Sequence, residues 1–168
     1  MVNEVIESIL RLIEAVFGYS IGEPDFNIVV GICVFAWVLA ARAFMAIFSS
    51  KRGILAAFFA FAIPVTIGLV GYAMAELYVV PLMKSYGWRI FALPSAVFAL
   101  FVFLSILLLA KRVWALSAGV SLFIYVVATA AAIGAYFGTE VTLGVIEYGE
   151  NQMEQRDQRV KSEIDALL

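Results

Sequence analysis

The chain has 168 residues, of which 64% are hydrophobic and only 14% charged, with a net charge of −2. A soluble domain averages about 45–50% apolar and about 25% charged residues, and the missing basic excess removes the minimum footprint of a nucleic-acid binder. There is no histidine and one cysteine, Cys33, which excludes an intrachain disulfide, a Cys–His metal site and bis-histidine haem ligation; no metal and no cofactor is expected.

Residues 1–18 read as an amphipathic helix. Val2, Val5, Ile6, Ile9, Leu10, Ile13, Val16 and Phe17 recur at helical spacing, while Asn3, Glu4, Glu7, Ser8, Arg11 and Glu14 fall opposite. The stretch begins acidic and its apolar residues are interrupted, so it does not read as a cleavable signal. Its acidic face gives no attraction to anionic headgroups, and packing on the rim of a bundle or on a partner explains it better. Gly18, Gly22 and Pro24 then break the helix.

Four apolar runs follow, each long enough for a bilayer span of about 20 residues. They cover roughly Ile28–Phe48, Ile54–Val80, Ile90–Ala110 and Val113–Phe137, and continuous helix is required because unpaired backbone groups in lipid are too costly. A single helix from Ile90 to Phe137 comes to roughly 70 Å, so Lys111-Arg112 is expected to turn the chain into a tight antiparallel hairpin. The expected fold class is all-α: a polytopic membrane protein with a four-helix transmembrane bundle over 26–138, an N-terminal amphipathic helix over 1–18, and a polar helical tail over 139–168. Gly138-Thr139 is read as the end of the fourth span. In the tail, Ile146, Met153, Val160 and Leu167 repeat every seven residues, with Ile164 beside them; this is a thin coiled-coil-like stripe, but it is short and Gly149 weakens the helix, so a partly frayed amphipathic tail lying on the domain is the leading reading.

Arg42, Lys51, Arg52, Lys111 and Arg112 gather at one side of the spans, against Lys84 and Arg89 at the other. The positive-inside tendency then puts both termini outside and the two basic loops in the cytoplasm. The expected location is a bacterial or archaeal plasma membrane. Trp114 at the inner boundary and Tyr78, Tyr86, Trp88 and Tyr136 at the outer one read as aromatic belts, with Trp37 packed near the middle of the first span.

Among possible functional residues, Glu76 stands out as an ionisable group in an apolar helix. It lies about 33 Å along the second span, near the outer headgroups, where it either pairs with Lys84 or Arg89 or forms an acidic pore mouth. Arg42 either snorkels to the inner interface or meets a buried acid or an anionic lipid. In the fourth span Ser117, Ser121, Tyr125 and Thr129 step by four, continued by Tyr136, while Gly134 and Gly138 form a GxxxG; both patterns suit close helix packing, the hydroxyls alternatively facing a pore. Pro64, Thr66, Gly68 and Gly71 mark a kink in the second span. The span midplanes hold no charged residue, and no nucleophile–base pair, metal cluster or phosphate loop is present.

These features point to a non-enzymatic integral membrane protein acting as an oligomeric or complex-forming subunit. Its partners are the lipid bilayer and further membrane helices, not nucleic acid. The alternative is a homo-oligomeric membrane channel lined by the hydroxyls of the fourth span or by the second span, with Glu76 at its mouth.

Overall fold

The computed structural model describes residues 2–48, 50–82 and 89–165, without the side chains of 89, 90 and 113 and of most residues beyond 149. Lys84, Tyr86, Trp88 and Leu167, and the side chains of Arg89, Val160 and Ile164, lie outside what is described. The described residues are helical and carry no strand. α1 spans Val2–Phe17, α2 Pro24–Ile47, α3 Ile54–Met74, α4 Arg89–Leu109 and α5 Ala118–Asp165. A widened π-type turn, Ala75–Val79, and a tighter 3-10 turn, Val80–Leu82, extend α3, and a second π-type turn, Ala110–Trp114, extends α4. Four helices are long and apolar enough to cross a bilayer: Pro24–Ile47, Ile54–Leu82, Phe91–Arg112 and Ala118–Gly149. These lengths and compositions are those of an integral membrane protein.

Local chemistry sets most of the boundaries. Gly18 takes φ +74° just past α1, and its N–H donates to the Glu14 carbonyl at 2.8 Å. This left-handed cap is nearly free for glycine. Gly22, at φ +105°, turns the chain into Pro24, the first residue of α2, where a missing N–H costs nothing. Gly53 opens α3, its carbonyl accepting from the N–H groups of Ala56 and Ala57.

The spans form two closely packed pairs, α2 with α5 and α3 with α4. The pairs meet through α2 and α3 and touch less between α4 and α5. Small residues make these approaches possible: Ala41, Ala57, Ala60 and Ala128 are buried in the shared core with Trp37, Met45, Val102, Ile106 and Ile124. Lipid gives no hydrophobic drive between helices, so such packing relies on van der Waals contact and hydrogen bonds.

Several expectations change. The expected hairpin between the third and fourth spans is the looser neighbour pair. The reversal falls at Ala115–Ser117 rather than at Lys111-Arg112, because the π-type turn carries both basic residues along before the chain turns. Ala115 sits at φ +55°, a left-handed conformation that costs a non-glycine residue about 1 kcal/mol. Two bonds hold the reversal: Leu116 N–H to the Ala110 carbonyl at 3.3 Å, and the Ser50 hydroxyl to the Trp114 carbonyl at 2.9 Å. The second bond ties the two turns of this face together. Trp114 is only 1% exposed; it plugs this end of the bundle and is not a belt residue in contact with headgroups.

No stop occurs at Gly138-Thr139. α5 continues through it to Asp165, so the tail is the prolongation of the fourth span. Glycine weakens a helix by about 1 kcal/mol without breaking it. The nearby hydroxyls add no competing turn, since Thr139 and Thr142 donate to the Ala135 and Gly138 carbonyls one turn back, each at 2.8 Å.

Candidate functional site

The sequence places its main candidates at the Glu76 rim, the hydroxyl stripe of the fourth span, and the glycines of the second and fourth spans. The rim is built by α1 lying against the far end of α3. Glu76 falls in the widened turn Ala75–Val79, and such π-type turns often coincide with functional positions. The Ser8 hydroxyl donates to Glu76 Oε2, and Arg11 Nη2 stands 4.0 Å from Glu76 Oε1. Arg11 is mostly exposed, so that ion pair is weak; the Ser8 bond is the stronger tie, because Ser8 is fully buried. Glu76 is thus held by α1. The expected partners Lys84 and Arg89 carry side chains outside the described residues.

This contact rotates α1 about its axis. Ser8 is buried with Val5, Ile9, Leu12 and Ile13 half-buried beside it, while Val2, Ile6, Leu10 and Val16 remain exposed, as do Asn3, Glu4, Glu7 and Arg11. At the C-terminal end of α1, Phe17 packs edge to face on Phe26 and Tyr136, and the Tyr136 hydroxyl donates to the Phe17 carbonyl at 3.4 Å.

The hydroxyl stripe lies inside the chain. Ser117 starts α5, its hydroxyl accepting from Val120 N–H at 3.4 Å. Ser121 is fully buried, with no hydrogen-bond partner for its hydroxyl among the described residues. Thr129 accepts the indole N–H of Trp37 at 3.2 Å, and the Trp37 ring packs on Tyr125 and Phe61 at centroid distances of 5.2 and 5.0 Å. These contacts join α5 to α2. At the opposite end of α2, Arg42 has a buried Nη1 without a hydrogen-bond partner among the described residues.

The glycines exchange the roles the sequence suggests. α3 runs unbroken through the buried Pro64, past an exposed Thr66. Its irregular backbone comes instead at Ala75–Val79. Gly68 and Gly71 are contact residues. A Cβ on Gly68 meets Val102 Cγ2 at 2.6 Å and Phe98 at 2.9 Å, and one on Gly71 meets Phe101 at 3.0 Å. A Cβ enters there only if the side chains of α4 shift. Gly134 and Gly138, expected to be the close-packing pair, have nothing within 4 Å of an added Cβ, and with Ala130 they form an exposed shallow face on α5. Farther along the same helix Val141 is 68% and Met153 64% exposed, with Val145, Ile146 and Tyr148 similarly open. Sequence alone could not separate these two glycine pairs, three and four residues apart, because either spacing puts small residues on one side of an apolar helix. No known protein family, curated protein or solved structure matches this chain.

Proposed function

We propose that the chain is a non-enzymatic membrane subunit that assembles through α5, receiving a second helix against Ala130, Gly134 and Gly138. The carrying observation is the open space at both glycines. Small residues strengthen a membrane helix contact only when another backbone comes close. Facing lipid, glycine brings its helix cost of about 1 kcal/mol and no compensating contact. Beyond the span, the exposed Ile146 and Met153 give the same helix an apolar stripe that water does not favour.

The channel reading has less behind it. Of its hydroxyls, Ser121 is buried within the chain and Thr129 accepts from Trp37, and Glu76 is hydrogen-bonded by Ser8. We further propose that both termini lie outside and that Lys51, Arg52, Lys111 and Arg112 face the cytoplasm, in line with the charge distribution.

Gly134→Ile tests the assembly reading directly, because the new side chain enters open space in the isolated chain. The expected result is a shift to a smaller species in nanodiscs, by light scattering or native mass spectrometry, with the unfolding temperature of the dissociated chain unchanged. An unaltered mass distribution rejects the α5 interface. In intact cells, a maleimide is expected to label Asn3→Cys but not Lys51→Cys; the reverse pattern rejects the orientation.

A further inference from the structure

The limited contact between α4 and α5 leaves a cleft of about 720 Å³ between the two helix pairs. Trp37 of α2 and Phe61 of α3 line its floor, α4 and α5 form its walls, and Phe17 lies at one end beside Tyr136. Along α5 it runs from Leu122 to Phe137, about 22 Å at the helical rise. Phe103, Val126, Ile133 and Phe137 line it and are exposed, so the mouth opens sideways between α4 and α5, toward the acyl chains. Among the described residues, no Asp, Glu, Lys or Arg lines it.

Size and apolar lining suit a small-molecule site, which typically combines an apolar surface with a few placed polar groups. Two such groups are present. The Tyr125 hydroxyl has no hydrogen-bond partner among the described residues. Thr129 accepts from Trp37 but donates to no described acceptor, whereas Thr139 and Thr142 of the same helix donate to carbonyls one turn back. Tyr125 and Thr129 are one turn apart on α5 and both line the cleft. They offer two O–H donors in a place with no water to accept them.

Depth decides what can accept them. From Ala118, where α5 begins, Tyr125 lies about 10 Å and Thr129 about 16 Å along the helix, near the middle of a hydrocarbon core about 30 Å thick. The ester carbonyls of a phospholipid stay at headgroup level, and a fatty-acid carboxylate is tethered there by its charge. An acceptor at this depth must belong to a neutral molecule that moves freely within the bilayer. We infer that the cleft is a lateral binding site for a lipid-soluble carbonyl compound with a long apolar chain, of the prenylquinone class. A quinone carbonyl accepts from Tyr125 and Thr129, its flat ring lies against Trp37 and Phe61, and its chain follows α5 along the cleft.

Trp37 supplies the readout, since a quinone at van der Waals distance quenches indole fluorescence. The protein is placed in nanodiscs and titrated with a short-chain prenylated benzoquinone. Saturable quenching is expected. Tyr125→Phe removes one donor while keeping the ring, and is expected to weaken binding about tenfold, the equivalent of one hydrogen bond. Ile133→Phe narrows the exposed mouth without touching the core and is expected to remove the saturable component. The same prenyl chain on a carbonyl-free benzene ring is expected to compete poorly. Linear quenching without saturation, unchanged affinity in Tyr125→Phe, or equal competition by the carbonyl-free analogue overturns the inference.

Discussion

α3 and α5 are both long apolar helices with glycines at close-packing intervals, yet they are used in opposite ways. On α3, Gly68 and Gly71 are filled to contact by Phe98, Phe101 and Val102 of α4, and the far end is fastened to α1 through Glu76 and Ser8. On α5, one side is packed on α2, while the side carrying Gly134 and Gly138 meets nothing. The difference teaches that a small-residue motif in a membrane helix states a capacity for close approach. Whether that capacity is used within the chain depends on what the neighbouring helix projects. α4 presents Phe98, Phe101 and Val102 to α3, which fill the available space, and no described helix reaches the glycine face of α5.

The sharpest way to break this comparison is Gly68→Val. Its Cβ alone falls within 3.0 Å of Val102 and Phe98, and the overpacking is expected to cost about 3 kcal/mol, read as a fall in unfolding temperature in detergent. An unchanged temperature means that α3 and α4 do not approach as described. Ser8→Ala tests the other fastening of α3. Loss of a hydrogen bond to a partly exposed carboxylate is expected to cost about 1 kcal/mol. Amide exchange should quicken across α1 and stay unchanged within α3; protection of α1 that persists shows that Ser8 is not its anchor. On α5 the sign reverses. Gly134→Ala is expected to stabilise the dissociated chain by about 0.5 kcal/mol, because alanine loses less backbone freedom in a helix. A destabilised monomer would show that the face is covered after all.

The smallest expected effect concerns the end of α5 nearest α1. Tyr19 lies in the linker between α1 and α2. The Glu140 carboxylate, then partial burial, then the charge of Asp25 push its hydroxyl from 10.0 up to about 12. The fold favours the neutral phenol. Its contribution is complete below pH 10 and is lost as pH rises through about 12. Glu140→Gln should bring the Tyr19 transition back toward its ordinary value, seen as the difference in tyrosinate absorbance between variants with and without Tyr19→Phe. A transition unmoved by Glu140→Gln separates the two residues.

The spans themselves were legible because bilayer thickness leaves little freedom. Runs such as Ile54–Val80 are too long and too apolar for another assignment, and the helices cover the expected residues to within a few positions at most ends. The faces were not legible. α2 to α5 are apolar nearly all round, and in lipid a buried leucine and an exposed one are equally well solvated, so periodicity carries no instruction about which side turns inward. This is why Gly68 could be read as a kink and Gly134 as a contact. Trp114 misled for a related reason: an indole near a span end suits a headgroup belt, and only its burial in the folded chain reveals that the ring turns inward at the turn face instead. α1 had a clear apolar side, and there the bond between Ser8 and Glu76 accompanies a rotation that buries the edge of that side rather than its centre. Continuity of α5 through Gly138 was hidden because glycine is a permitted stop, not an obligatory one.

That continuity has a mechanical consequence. A helix of 48 residues is about 72 Å long, more than twice the hydrocarbon thickness of a bilayer. No proline or loop interrupts α5 between its start and Asp165, so it behaves as a shaft. A twist applied to its C-terminal half therefore reaches the glycine face of its N-terminal half with little loss.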